Sequence, residues 1–311
     1  MNWQSLVGSY LALKRHLGYE LIREREYLQN FARFAAKQSD ADSLSIDLAL
    51  RWANLTHSDA DITVAKRFGV IRPFSRYLAM LGHDAVILPT HFLPSTHRRL
   101  PPYIFSETEV SELMSAALNL PPKSGLRPIT IKTFIGLLVS TGLRPGEAVR
   151  LQCKDVELNS GEIAIHNSKG WKQRLIPLSP STVDALRVYM AFRENINLPG
   201  QVTSFFQLDN GRTLNMRSAA HAFGCLREAT GLSIKFNGRY PRLYDLRHTF
   251  VCRRVLDWYQ SGDEVDCRVA QLSRYIGHKK VSNTYWYLTA TPALMACAAE
   301  RFSAGYSGEP L

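Results

Sequence analysis

Apolar residues recur at three- and four-residue steps along the first third of the chain. Leu6, Tyr10, Leu13 and Leu17, then Tyr27, Leu28, Phe31, Phe34 and Ala35, lie at helical spacing. They predict one long amphipathic helix or two over residues 3–38, with Gly18 as the candidate break. Residues 43–55 (SLSIDLALRWANL) predict a further helix capped by Ser43 or Ser45. Residues 62–81 predict another, apolar and basic, in which Pro73 starts or kinks a turn. The periodicity then stops. LPTHFLPSTHRRLPPYIFS (88–106) carries four prolines and no helical or alternating pattern, so it reads as an extended connection. The pattern divides the chain into a helical domain (1–88), a linker (89–105) and a second domain (106–311).

The second domain opens on a helix over 106–118, where Ser106 followed by Glu109 has the form of a capping box. An apolar helix over 129–143 ends at Gly142. Alternation replaces helical periodicity over 155–179, where Ile163 and Ile165, then Leu175 and Leu178, flank turns at 159–161 and 168–170. That stretch predicts a small three-stranded antiparallel sheet. Helices return over 180–196, 217–230, 245–260, 267–277 and 281–303. The expected fold is therefore mainly α with one small antiparallel β-sheet.

Composition changes this picture in three ways. No apolar run reaches the length of a membrane span, and no basic segment followed by an apolar run opens the chain, so a cytosolic protein is expected. The five cysteines are scattered and never form a CxxC pair, which fits packed thiols better than a disulfide frame or zinc site. The net charge of +11 is spread over both domains and favours a polyanionic partner. Lys66, Arg67, Arg72 and Arg76 of the first domain, Arg98 and Arg99 of the linker, and Lys172 and Arg174 of the sheet are candidate DNA contacts.

Five local features carry candidate chemistry. Arg144 in STGLRPGEAVRLQ follows a glycine break, and Glu147 three residues on opens the next helix; such an arginine can face an anion beside unpaired backbone N–H groups. Lys169 stands in a hairpin tip, from which a lysine can reach a cleft. Tyr244 and Arg247 in RLYDLRHTF share a helical face, while His248 lies about 100° round and packs or supports. His278 follows the helix end at Gly277. Finally, Tyr285 and Tyr287 point about 200° apart on a helix, so one of them can face a given cleft. Val281, Thr284, Tyr285 and Leu288 form an apolar stripe, which favours Tyr285 for packing and Tyr287 for the functional hydroxyl.

In chain order, TGLRPGE, KGWKQRLIPL, YDLRHTF and IGH, with a tyrosine nine residues beyond the histidine, resemble the tyrosine recombinase (phage integrase) family. No one of these motifs is specific; their order and spacing are. The resemblance covers about residues 104–300, and the helical region before it resembles the family's core-binding domain in size. It implies a DNA strand transferase that cleaves and rejoins DNA at a specific site through a 3′-phosphotyrosyl intermediate, serving integration, excision or transposition of a mobile element. Arg144, Lys169, Tyr244, Arg247, His278 and Tyr287 would be catalytic, with Glu147 and His248 behind them. No cofactor or metal is implied. The partners implied are duplex DNA at a recombination site and, once bound, a homotetramer across two sites, with a monomer when free and sister recombinases as further partners. The location implied is the bacterial cytoplasm, at the nucleoid. A type IB-like topoisomerase and a catalytically impaired DNA-binding accessory are the alternatives. One position departs from the family pattern: Tyr244 stands where histidine is usual. A phenol can donate a hydrogen bond to a phosphate oxygen but does not accept a proton near neutral pH as imidazole does.

Overall fold

The computed structural model describes residues 1–55, 61–93, 100–166, 173–196, 203–278 and 280–286, together with 295, 296 and 299. The chain divides into two compact units, Met1–Arg99 and Leu100–Leu311, a division that falls inside the expected linker. Its flanks are packed: Phe92 stacks on Phe68 in the first unit, and Tyr103 and Phe105 belong to the core of the second.

The first unit consists of α1 (Trp3–His16), α2 (Ile22–Ala35), α3 (Ile46–Ala53) and α4 (Asp61–Met80). The long N-terminal periodicity is two helices, and Gly18 at the break has φ +82°, a conformation that favours glycine. Ser45 caps α3 by accepting a hydrogen bond from the Leu48 N–H at 3.0 Å. Pro73 departs from expectation, because α4 runs through it. The proline lies on the exposed side, where a carbonyl deprived of its helical donor can turn to water. The core is aromatic. Trp3 meets Phe31, and Phe31 meets Trp52, each edge to face at 5.5 Å between centroids. Both indole N–H groups are satisfied, Trp3 by the Ala41 carbonyl and Trp52 by Asn30.

The second unit is mostly helical. α5 (Glu107–Ala117) begins in the expected capping box, with Ser106 and Glu109 each accepting the other's backbone N–H. α6 (Leu126–Thr141) is buried on nearly every side and packs against α5, α8 (Pro180–Asn195) and α10 (Leu243–Gln260). That explains its all-round apolar sequence, which is the pattern of a central helix. A short α7 (Pro145–Ala148) leads to β1 (Val156–Glu157), β2 (Glu162–Ile165) and β3 (Arg174–Pro177), joined as one antiparallel sheet in the order β1-β2-β3. Ile163 pairs with Ile176 and Ile165 with Arg174. α9 (Met216–Ala229), α11 (Val265–Tyr275) and α12 (Ser282–Tyr285) complete the described elements. The segment entering the unit is stapled to α10: the Phe105 N–H donates to Thr249 Oγ1, and Arg253 donates to the Phe105 carbonyl, both at 3.0 Å. No helix among the described residues is long and apolar enough to cross a membrane.

Candidate active site

Three chain reversals meet in the second unit: the turn after α6, the start of α10 and the turn after α11. Gly142 ends α6 at φ +62°, and a Cβ there would lie 2.3 Å from the Phe250 ring, so the close approach of α6 to α10 requires glycine. Two residues on, Arg144 caps α7. Its backbone N–H donates to Glu147 Oε2 at 3.0 Å, its Nη1 to Glu147 Oε1 at 2.8 Å, and its Nη2 to the Gly277 carbonyl at 3.0 Å. The side chain keeps a third of its surface exposed. Burial opposes its charge, but Glu147 and then Tyr244 outweigh that effect and raise its pKa.

Arg247 is entirely buried at the other wall. Its Nη1 donates to the Gly142 carbonyl at 2.8 Å and its Nη2 to the Ile276 carbonyl at 2.7 Å. One guanidinium thus joins the turn bearing Arg144 to the turn bearing His278. Gly277 makes the second turn possible at φ +70°. His278 follows it, with its ring fixed by a 2.8 Å hydrogen bond between Nδ1 and Thr284 Oγ1. Arg144, Arg247 and His278 are therefore brought together, as the sequence motifs anticipate.

Tyr244 shares the Arg247 face of α10 and is about one-third exposed. Its ring stands edge to face on His248 at 5.1 Å, and His248 meets Trp286 at 5.7 Å. His248 is buried. Burial, followed by the nearby Arg242, Arg247, Arg239 and His278, pushes its pKa down to about 3. At neutral pH it is an uncharged packing ring.

Glu147 supports more than the sequence implied. It is buried, and its carboxylate is shared between Arg144 and Arg174: Arg174 donates from Nη1 to Oε1 at 3.2 Å and from Nη2 to Oε2 at 2.7 Å. Burial alone would raise its pKa, but Arg174 and then Arg144 hold it below the ordinary carboxylate value. Arg174 itself is turned inward. Its Nε donates to the Tyr275 carbonyl at 3.0 Å and its side chain is only 12% exposed. Arg174, expected as a DNA contact, is thus engaged inside the protein through all three guanidinium nitrogens. The signal was in the strand: Arg174 shares the period-two face of buried Ile176, whereas Leu175 and Pro177 are exposed.

The stripe argument for the two tyrosines needs correction. Thr284 is buried, but Val281 and Tyr285 are 39% and 38% exposed. α12 is only four residues long and turns Tyr285 outward, where its hydroxyl donates to Asp266 at 2.9 Å. That bond, then slight burial and the Asp266 charge, raise its pKa, which makes ionisation harder. Tyr287 lies outside the described residues, as do Leu288, Lys169, Lys172, Arg98 and Arg99. Of the remaining candidate DNA contacts, Lys66 and Arg76 are exposed on α4. Arg67 donates to the Ala53 carbonyl at 3.3 Å, and Arg72 to the Pro89 carbonyl at 3.0 Å.

Two guanidiniums and an imidazole brought near one another by adjoining backbone turns are the residue types that suit a phosphate group. The sequence profile of the phage integrase family matches residues 104–293. Two Sinorhizobium fredii proteins named as integrase/recombinases (y4rB and y4rE) are each 33% identical, over 96% and 95% of this chain and 96% and 94% of their own. The tyrosine recombinase XerC of Proteus mirabilis is 28% identical over 72% of the chain and 67% of its own. In fold, the chain is similar to the Tn1549 transposon integrase in complex with transposon right-end DNA, with a TM-score of 0.67, 17% identity and coverage of 98% of this chain and 100% of that one. A lambda integrase dimer bound to a COC′ core site gives 0.65 at 17% identity, covering 90% and 96%. The chain belongs to the phage integrase family of tyrosine recombinases. It is a site-specific DNA recombinase that cleaves and rejoins DNA through a covalent phosphotyrosyl intermediate.

Proposed function

We propose that Arg144, Lys169, Tyr244, Arg247, His278 and Tyr287 carry out this reaction, in a two-domain recombinase of a mobile element. The observation that carries the assignment is the meeting of Arg144, Arg247 and the turn at His278, held by hydrogen bonds from the two arginines to the Gly142, Ile276 and Gly277 carbonyls. The Tyr287 oxygen attacks the scissile phosphorus, forming the 3′-phosphotyrosyl bond as the bond to the 5′-oxygen breaks. Negative charge gathers on the non-bridging oxygens of the transition state, where guanidinium forks and the His278 ring stabilise it. Lys169 protonates the departing 5′-oxygen. Tyr244 donates a hydrogen bond to a phosphate oxygen in place of the family's histidine, and neutral His248 packs behind it. The reverse step, with another strand's 5′-hydroxyl attacking, completes exchange and conserves the bond.

The partner of this reading is duplex DNA at a recombination site, with four protomers assembled across two sites and monomers in the absence of DNA. Likeness in fold to integrases in complexes with transposon-end and core-site DNA supports the duplex-DNA partner. The integrase/recombinase names of the two Sinorhizobium proteins, matched over almost the whole chain, support integration or recombination as its role. The test uses a suicide substrate nicked near the cleavage point, resolved on a denaturing gel with a metal chelator present. Wild type and Tyr285→Phe form a protein–DNA adduct, and Tyr287→Phe binds the DNA but forms none. An adduct with Tyr287→Phe and none with Tyr285→Phe would reverse the assignment, and loss of the wild-type adduct on chelation would rule out a metal-free reaction.

A further inference from the structure

Arg174 is the first residue of β3, the strand that leaves the hairpin whose connecting segment carries Lys169. Its guanidinium reaches three other parts of the site. Two nitrogens engage both oxygens of Glu147, whose carboxylate also takes the Arg144 backbone N–H and Nη1. The third donates to the carbonyl of Tyr275, three residues before His278. The guanidinium also lies against Gly277: a Cβ at that position would come within 3.0 Å of Arg174 Nη1 and 3.2 Å of Cζ. The carbonyl of the same glycine accepts from Arg144.

We propose that Arg174 is a positioning residue that locks the β2–β3 hairpin to the Arg144 and His278 turns and keeps Glu147 from closing onto Arg144 alone. The arrangement has a charge logic as well as a geometric one. A single carboxylate between two guanidiniums leaves the cluster with one net positive charge. Without Arg174, Glu147 and Arg144 form a neutral pair, and the carboxylate draws the Arg144 fork away from the placement the transition state requires. A lysine would keep the charge but has one nitrogen for a site that uses three, two of them as a fork on one carboxylate. Because Arg174 acts through Glu147 and two turns, it meets no substrate atom itself.

This inference rests on the phosphotyrosyl reading, and its test is separable from the choice of nucleophile because any covalent adduct is counted. Arg174→Met, Arg174→Lys and Glu147→Gln would be compared with wild type for thermal unfolding, for DNA affinity across a salt series, and for single-turnover adduct formation at saturating DNA. Placement errors of about an ångström cost on the order of 100-fold in rate, and that is the loss expected for Arg174→Met. Arg174→Lys should restore less than a tenth of the lost rate, and affinity and salt slope should match wild type. Glu147→Gln removes the carboxylate that both arginines hold while adding one positive charge; it should lose rate with affinity no lower than wild type, and it stands in where Arg174→Met fails to fold. If Arg174→Met lowers the salt slope by about 0.9, the loss of one phosphate contact, while cleaving at the wild-type rate when saturated, Arg174 is a DNA contact and the proposal falls. Full rate with Arg174→Lys would likewise overturn it, since charge without the fork would then suffice.

Discussion

The two units of this protein bury different chemistry. Among the described residues, Ser75 is the one fully buried polar side chain of the first unit, whose interior is otherwise Trp3, Phe31, Trp52, Phe68, Phe74 and their aliphatic neighbours. The second unit also has an apolar core but buries Glu147, Asp245, Arg247 and His248 as well. A ring core specifies shape and is tolerant of how each ring arrives. A buried guanidinium tolerates little, because each donor must find an acceptor or the desolvation cost is not offset. The second unit uses that intolerance: Arg247 and Glu147 fix where three turns meet, and the site is the by-product of satisfying them.

Substitutions in the two interiors should therefore fail differently. Trp52→Ala removes a ring that packs on Phe31 and Tyr27, and should destabilise the first unit by about 3–5 kcal/mol. Thermal unfolding would detect it as an early transition, while adduct formation at saturating DNA and low temperature stays near wild type. A large fall in the saturated cleavage rate would break the contrast between the units. Tyr244→Phe has the opposite signature. The residue is 37% exposed, so losing one oxygen should cost folding little, but its removal should raise the cleavage barrier by roughly 2–4 kcal/mol if it donates to the transition-state phosphate. Tyr244→His should retain much of the rate. Equal rates for Tyr244→Phe and wild type would reduce the residue to packing against His248.

The smallest effect is one of pH. His248 has a folded pKa of about 3 against an unfolded value near 6.5, so the unfolded chain takes up the proton first as the solution is acidified. Its contribution to stability is complete above about pH 6.5 and is lost as pH falls towards 3. At pH 5 the loss amounts to about 2 kcal/mol. Denaturant unfolding between pH 7 and 5 should show a shallower pH dependence for His248→Asn than for wild type. Parallel slopes would mean that the ring is protonated as readily in the folded protein as outside it.

What the sequence made legible follows the range of the interactions. The Ser106–Glu109 capping box spans three residues and was readable, as were the helix at Met216–Ala229, expected over 217–230, and the presence of a three-stranded antiparallel sheet. Arg144 was singled out because the glycine turn before it announces special backbone, and Arg247 because it shares a helical face with Tyr244 three residues earlier. Pro73 misled, since local propensity marks a break where the packed face of α4 carries the helix onward. Tyr285 misled because helical periodicity was extended over a segment whose described helix is one turn long. Arg174 was missed as an internal residue because its partners lie 27 and 101 positions away, at Glu147 and Tyr275. Basic residues in a basic protein suggest a polyanion, and only the fold says which of them are already engaged.

The central claim is that the DNA strand is held by Tyr287 while Tyr285 stays hydrogen-bonded to Asp266. Its most direct test is to locate the covalent bond itself. Wild-type protein trapped on a suicide substrate would be digested with protease and nuclease, and the modified peptide sequenced by tandem mass spectrometry. The account predicts a nucleotide remnant on Tyr287 with Tyr285 unmodified. A remnant on Tyr285, or on any residue other than Tyr287, would contradict it.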